Sequence, residues 1–392
     1  MYNNKRAKAD GIILAVLLFL PALNYYFAEA LYSFGIKNPL VQLIYVIVYL
    51  TGAYTYVRNI AHSIKAVYVV SLLLLISMAL TPEVMTAITG PKFLQSLLVT
   101  LLFIYLPIFI TVSDKKFDFD SIVTQLYPFA LCVDITCIIT YCIEVANLSV
   151  LHEYMTMAYT GLPAILLTIF CSYSKKHFLG IGISTLAAFT ILFGGCRGAL
   201  LTLVIFVVLM LFLSKNQKST KWGWWVLILV LLVLVLNAET IFSRINNLLS
   251  GFGYESRIFS LLESENGIKS EGRDAVYKKA FSLINVWGHG IYSDRVLLEH
   301  VADSTYCHNW ALEFMVDYGF IIGVLLVILM LFMVFRMFRV RDRLSLMGKF
   351  MLYFTVSMLF VKYMLSGSYL ASAEFALILG WLVNSRSTVN AQ

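Results

Sequence analysis

Three short clusters in this sequence carry the residue types that handle an anionic, phosphorylated substrate. In Gly194-Gly195-Cys196-Arg197-Gly198 an arginine stands among glycines, so backbone and guanidinium can approach an anion together. Arg273 opens a helical pattern, where free amides and the helix dipole already favour negative charge. His308-Asn309 precedes a long apolar run and offers an imidazole that can take a proton from a hydroxyl. Two such arginines could hold a diphosphate. Each residue also has a plainer reading: Arg197 as an interfacial anchor, Arg273 as a partner of Glu271, His308 as a helix-start residue satisfied by Asp303 or a carbonyl. No one of these signals is specific by itself.

The elements that must position these residues follow from composition. Of 392 residues, 60% are hydrophobic and 13% charged, with a mean hydropathy of +0.84, whereas soluble domains are about a quarter charged. A water-soluble fold is excluded, because its surface could not hide so much apolar area. Apolar runs of about 20 residues cross a hydrocarbon core of about 30 Å, and runs without period-two alternation do so as helices. The fold class expected is all-α integral membrane, with about twelve spans near 11–32, 39–57, 66–81, 93–113, 121–143, 154–173, 178–194, 198–214, 222–239, 309–335, 348–366 and 369–384. The first run follows Lys5, Arg6 and Lys8 as a secretory signal would. Pro21 and Tyr25-Tyr26-Phe27 stand where a cleavage site would need small residues, so it reads as an uncleaved span.

The net charge of +7 finds its explanation in topology rather than in nucleic acid. With both termini cytoplasmic, Lys5, Arg6, Lys8, Arg58, Lys65, Lys115, Lys116, Lys175, Lys176 and the basic residues of 215–221 and 336–349 lie inside. Only Lys37, Lys92, Arg197 and Lys362 stand in short outside segments or at span ends, the bias that orients membrane proteins. The division expected is 1–239 with nine spans, 240–308 as a large extracytoplasmic loop, and 309–392 with three spans. Within the loop, Arg244, Arg257, Lys269, Arg273 and Arg295 are matched by Glu255, Glu263, Asp274 and Asp294, the balance of a segment folded onto the membrane domain. Ala275, Val276, Ala280, Leu283, Ile284 and Trp287 recur at helical spacing, predicting an amphipathic helix over 273–287 that Gly288-His289-Gly290 ends. No internal repeat of the inverted-repeat transporter kind is visible.

Other polar residues carry less. The six histidines show no strict zinc spacing, so neither a metal nor another cofactor is expected. Asp303 with Glu313 could form a glycosidase-like pair, although Glu313, five residues past His308, points elsewhere on one helix. Asp134, Lys362 and Glu374 are costly in lipid and should face protein or water, as an internal ion pair such as Asp134 with Lys362, or as a polar acceptor groove. Cys132, Cys137 and Cys142 read as packing residues, while Cys196 and Cys307 precede site residues and could form a disulfide.

His308-Asn309-Trp310-Ala311-Leu312-Glu313, continuing through Asp317-Tyr318-Gly319 to Gly323, resembles the His-Asn…Leu-Glu…Tyr-Gly signature of the bacterial O-antigen polymerase and O-antigen ligase superfamily. Arg197-Gly198-Ala199-Leu200 is similar to that superfamily's Arg-Gly start of a mid-chain span. Gly272-Arg273-Asp274 with Trp287-Gly288-His289-Gly290 resembles its arginine-led loop helix ending in a Gly-x-Gly turn. The resemblance covers roughly 190–335. Cys196 and Ile322 depart from the commoner serine and small residue at those places, and neither departure removes a charge.

The resemblance implies a metal-independent glycosyltransferase acting on an undecaprenyl-diphosphate-linked glycan in the bacterial inner membrane, with its active site on the periplasmic face. Arg197 and Arg273 would clamp the diphosphate and His308 would activate the acceptor hydroxyl, inverting the anomeric centre. Arg244, Arg257 and Asn309 would assist substrate binding. The reading that follows is a polymerase joining lipid-linked repeat units for O-antigen or capsule, its partners being donor, acceptor, membrane lipid and a chain-length regulator. A ligase delivering polymer to lipid A-core is the near alternative, and a lipid-linked oligosaccharide flippase the distant one.

Overall fold

Runs rich in Leu, Ile, Val and Phe cannot leave their backbone amides unpaired in lipid, and the helix closes every such bond within the segment. The computed structural model describes residues 4–34, 40–81, 93–114, 117, 119–146, 154–194, 196–213, 273–298, 301, 306–370 and 372–390, and these form helices with no β-strand among them. In chain order they are α1 (Asn4–Tyr32), α2 (Leu40–Arg58), α3 (Ile60–Leu80), α4 (Phe93–Thr100), a π segment (Leu101–Tyr105), α5 (Leu106–Ser113), α6 (Phe119–Ala146), α7 (Tyr154–Lys175), α8 (Phe178–Gly194), α9 (Arg197–Leu213), α10 (Arg273–Leu283), α11 (Ser293–Leu297), α12 (Trp310–Arg339), α13 (Leu346–Ser357), a second π segment (Met358–Lys362), α14 (Tyr363–Leu365) and α15 (Ala373–Asn390). Among the described residues, six helices are long and apolar enough to cross a membrane: Arg6–Tyr32, Ser63–Leu80, Ile122–Ile143, Met155–Lys175, Trp310–Arg339 and Leu346–Leu365. Helices occupy every expected span except 222–239, which lies outside the described residues. This is an all-α, multi-pass membrane protein.

The chain divides into two units. The first comprises Met1–Pro21, Gln42–Leu126 and Ser270–Gln392, and the second Ala22–Val41 and Tyr127–Lys269. In the first unit, the start of α1 and the ends of α2 and α5 meet through ion pairs, Arg6 with Asp114 at 2.7 Å and Arg58 with Asp10 at 2.6 Å. Asn384 on α15 donates to the carbonyls of Val112 and Asp114 at 3.0 and 3.2 Å. These contacts gather the first unit's basic end. From there α3 runs 21 residues, about 30 Å at helical rise, to Ser77 and Thr81. Their hydroxyls donate to the carbonyls of Ile291 and His289 at 2.6 and 2.7 Å. The 285–298 segment therefore docks a helix length away from the basic corner.

In the second unit, the buried Tyr26 donates to the Met157 carbonyl at 2.6 Å, and Thr140 donates to the Tyr26 carbonyl at 3.0 Å. Asp134 is fully buried there, beside Thr168. Lys362 belongs to the first unit and pairs with Glu374 at 3.5 Å, so the expected pairing of Lys362 with Asp134 is corrected. Glu374 opens α15 eleven residues beyond Tyr363, whose hydroxyl also reaches it, and nearness along a short turn satisfies the lysine. The twelfth expected span also starts later than hydropathy suggests. Residues 366–370 and 372 are not helical, and α15 begins at Ala373.

Candidate functional site

The site region of the first unit is assembled from α10, the loop and short helix that follow, and the first turns of α12. Helix α10 begins at Arg273 as expected but ends at Leu283, four residues short of Trp287. The cause is Asn285, whose side-chain oxygen accepts from the amides of Trp287 and Gly288 at 2.9 and 2.5 Å, a local bond that competes with helix continuation. Val276 and Ala280 are buried with Leu298, Cys307, Leu312 and Val316, which seats α10 on the start of α12. Phe281, Val286 and Trp287 face outward, Trp287 being 81% exposed. The apolar face is thus split between the protein and the surroundings, and Trp287 lies beyond the end of the helix.

The loop locks into a break in α12. Gly319, at φ 80° and ψ 165°, leaves helical geometry in the middle of α12. The break frees the carbonyls of Val316 and Asp317, which accept from His289 and Gly290 amides at 3.1 and 2.7 Å, while the Phe320 amide donates to the Asn285 carbonyl at 2.7 Å. A Cβ on Gly319 would lie 2.3 Å from the Val286 oxygen, and one on Gly288 would lie 2.4 Å from the Asp317 oxygen. Only two residues without side chains can pass so close. The Gly-x-Gly turn and the Tyr-Gly motif, some thirty positions apart, are the two halves of one joint.

His308, just before α12, lies in the left-handed region, φ 54°. Asn309 caps α12, its side-chain oxygen accepting from Ala311 and Leu312 amides at 3.0 and 3.2 Å. The imidazole lies 4.0 Å from the Tyr306 ring, centroid to centroid. Burial pushes its pKa down to about 4, and the positive charges of Arg273 and Arg295 push in the same direction. The imidazole is thereby neutral at ordinary pH. Arg273, in the first turn of α10, is close enough to act on His308 electrostatically, so the structure brings these two expected residues together. Arg197 opens α9 in the second unit. Arg244 and Arg257 lie outside the described residues, as does Asp303. Cys196 and Cys307 are both buried, the first in the second unit and the other in the first unit.

Beneath the histidine lies a buried charged cluster that sequence reasoning passed over. Asp294 and Arg295 on α11 and Glu313 and Asp317 on α12 are all buried. Arg295 pairs with Asp294 at 3.8 Å and Glu313 at 3.7 Å, and its guanidinium covers the Tyr306 ring at 4.4 Å. Glu313 accepts from the Ser368 hydroxyl and from the Tyr369 amide, the latter at 3.2 Å. Asp317 accepts from the Tyr369 hydroxyl at 2.7 Å and the Ser293 hydroxyl at 3.1 Å. Burial raises the Asp294 pKa against the lowering effect of Arg295. The carboxylates of Asp294, Glu313 and Asp317 lie within 4.8 Å of one another, a spacing a cation could use. Arg295 already supplies a positive charge at that point, which disfavours a metal ion there. The legible signal was Glu313 and Asp317 one helical turn apart at the head of an apolar helix, two acids that require buried donors.

The fold and site thus define a helical membrane protein whose α10–α12 region sets a neutral histidine and an arginine over a buried ion cluster. Residues 181–328 match the family described as O-Antigen ligase, so this part of the chain is similar to the O-antigen polymerase and ligase superfamily. The matched segment spans α9, α10, α11 and the broken part of α12, where the joint is built. The match supports a function of the polymerase or ligase type, glycosyl transfer in lipopolysaccharide biosynthesis. No curated protein matches the chain, and no solved structure does.

Proposed function

We propose that this protein polymerises lipid-linked oligosaccharides, transferring an undecaprenyl-diphosphate-linked glycan to a hydroxyl of another lipid-linked repeat unit on the periplasmic face of the inner membrane. The observation that carries the reading is a neutral His308 at the start of α12 within electrostatic reach of Arg273. A glycan on diphosphate already has a good leaving group. The catalyst must chiefly stabilise departing negative charge and take the acceptor's proton. Arg273, with the open amides of the first turn of α10, meets the diphosphate, while Arg197 opens α9 in the second unit. His308, uncharged, accepts the hydroxyl proton as the sugar carbon is attacked opposite the leaving group, so the anomeric centre inverts. Arg244, Arg257 and Asn309 assist binding, Asn309 through the amide nitrogen its capping role does not use. No metal or other cofactor takes part in this scheme.

Sidedness has support in the first unit. Its ion-paired Arg6 and Arg58 lie about a helix length from the loop docked at Ser77 and Thr81, the arrangement expected if the basic end is cytoplasmic and both termini lie inside. Incubation of the purified protein with undecaprenyl-diphosphate-linked repeat units tests the reading. A ladder of longer lipid-linked products is expected, and its absence, or its persistence in Arg273→Ala, overturns it. The family description favours a second reading, a ligase that moves finished polymer to lipid A-core. A disruption mutant separates the two: single repeats on core mark a lost polymerase, and unattached lipid-linked chains a lost ligase. A chain-length regulator is the further partner expected of the polymerase.

A further inference from the structure

We propose that Arg295 is a positioning residue for His308, acting through Tyr306, with the guanidinium and a tilted imidazole both set against the phenol ring in one column on the buried carboxylates. The assignment of a catalytic task to the end of that column rests on the reading of His308 given above. The column itself stands on geometry.

Its foot is fixed. Arg295 has a side chain only 4% exposed, paired with Asp294 and Glu313 at 3.8 and 3.7 Å. Both distances exceed a hydrogen bond, so charge rather than directed bonding holds the guanidinium flat. Glu313 is itself held by Ser368 and Tyr369, and Asp294 accepts from the Cys307 amide at 3.4 Å. The middle is fixed as well. The Tyr306 ring lies under the guanidinium at 4.4 Å, and its hydroxyl is 3.4 Å from that of Ser366. At the top, the imidazole rests 4.0 Å from the same ring, tilted 45° to it. His308 takes φ 54°, a conformation uncommon outside glycine, and the next residue enters the cap of α12. The backbone turns there so that the ring can fold back on Tyr306 while the chain goes forward into the helix.

The column has a chemical consequence. The charged groups that act on the imidazole are Arg273 from α10 and Arg295 from α11. The other titratable groups in this neighbourhood are Asp274 and Tyr277 on α10 and Asp294, Tyr306 and Cys307. A base oriented by a carboxylate has its pKa raised; one oriented by an arene backed by a cation has its ring fixed while the cation opposes protonation. Arg295 therefore aims the base and keeps it uncharged by the same contact.

The test reads His308 directly in the full-length detergent-purified protein: the rate of diethyl pyrocarbonate modification at His308, followed by peptide mass spectrometry between pH 5 and pH 7. In the wild type the rate at pH 5 stays close to that at pH 7, because the imidazole is neutral throughout. Arg295→Met is expected to lower the pH 5 to pH 7 ratio by about 1.5-fold, because burial and Arg273 hold the imidazole neutral more strongly than Arg295 does. Arg295→Lys keeps the charge and a high ratio but loses the flat stack, so modification at pH 7 accelerates. Because Arg295→Met strands two buried carboxylates, two further variants carry the same question. Arg295→Met with Glu313→Gln removes charges in balance and should lower the ratio, and Tyr306→Leu should speed modification at pH 7 and lower the ratio too. An unchanged ratio in the folded double variant, together with an unchanged rate in Tyr306→Leu, overturns the column. Should the ratios shift while Arg273→Ala still makes the product ladder, the column stands and the polymerase reading falls.

Discussion

Gly319→Ala probes the joint between the loop and α12 with the smallest change available. At φ 80° and ψ 165° the position lies in a region open essentially to glycine, and an alanine held there costs about 1–3 kcal/mol. The added Cβ would sit 2.3 Å from the Val286 oxygen and 2.6 Å from the Gly288 nitrogen. Both are backbone atoms, which cannot swing aside as a side chain would. The other course is to undock the loop and lose three backbone hydrogen bonds, His289 to Val316, Gly290 to Asp317 and Phe320 to Asn285, worth about 0.5–1.5 kcal/mol each. Strain plus overlap exceeds the lower end of that loss, so the loop undocks and the variant is destabilised by about 2–4 kcal/mol. The matched control is Gly182→Ala, in α8, where an added Cβ meets nothing within 4 Å; there a gain of about 0.5–1 kcal/mol is expected from helix propensity. Thermal midpoints in one detergent, with limited proteolysis across 284–292, decide the matter. Gly319→Ala should melt well below wild type, be cut early in that segment and lose glycosyl transfer, while Gly182→Ala does none of these. Equal midpoints and equal protection for the two alanine variants would refute the joint.

Arg273→Ala should abolish turnover, by a hundredfold or more on the order expected for loss of a charge that meets the leaving group, with an unshifted thermal midpoint, since the residue sits at a partly exposed helix start. The pH profile of transfer should show no acid limb from His308 until about pH 5, because its pKa is held near 4: neutral above that value, the imidazole is competent, and activity falls only as pH descends through it. The linked stability term has the same sign, present above the ordinary histidine pKa and lost as pH falls through about 4. Lys362→Met leaves Glu374 without its ion-pair partner at 3.5 Å and should cost about 3–5 kcal/mol, whereas Lys362→Met with Glu374→Gln should recover most of it; thermal midpoints of the two single variants and the double would check this coupling.

The helices were legible because length and apolar content are one-dimensional properties, and a lipid environment leaves the backbone few alternatives. The loop helix was legible from its start at Arg273, but its end was not. Ile284 and Trp287 keep the helical period, and the sequence cannot reveal that Asn285 would spend its side chain on two local amides. Hydropathy likewise ran the last span back through 369, because Tyr369, Leu370 and their neighbours are apolar enough to cross a membrane. Three-dimensional demand overrides it: Glu313 and Asp317 need donors, and Ser368 and Tyr369 can supply them only from a loop.

Asp294 and Arg295 illustrate the deeper limit. In composition they are two of many balanced charges in a long polar segment, and a solvated pair is the cheaper assumption for any such residues. What buries them is the docking of the loop on the break in α12, and the bond from Ser293 to Asp317 spans 24 positions. That docking depends on two glycines that look like ordinary turn residues, since a close backbone crossing needs both partners and each is silent without the other. The acidic pair on α12 is the one part of the arrangement that announces a need. Two carboxylates on one face of an apolar helix cannot both ionise there without a cation or strong donors. Arg295, on a different element, supplies the cation, and in doing so it brings Tyr306 and His308 into line. Glu313 on α12 thus holds the histidine indirectly, through Arg295 and the Tyr306 ring.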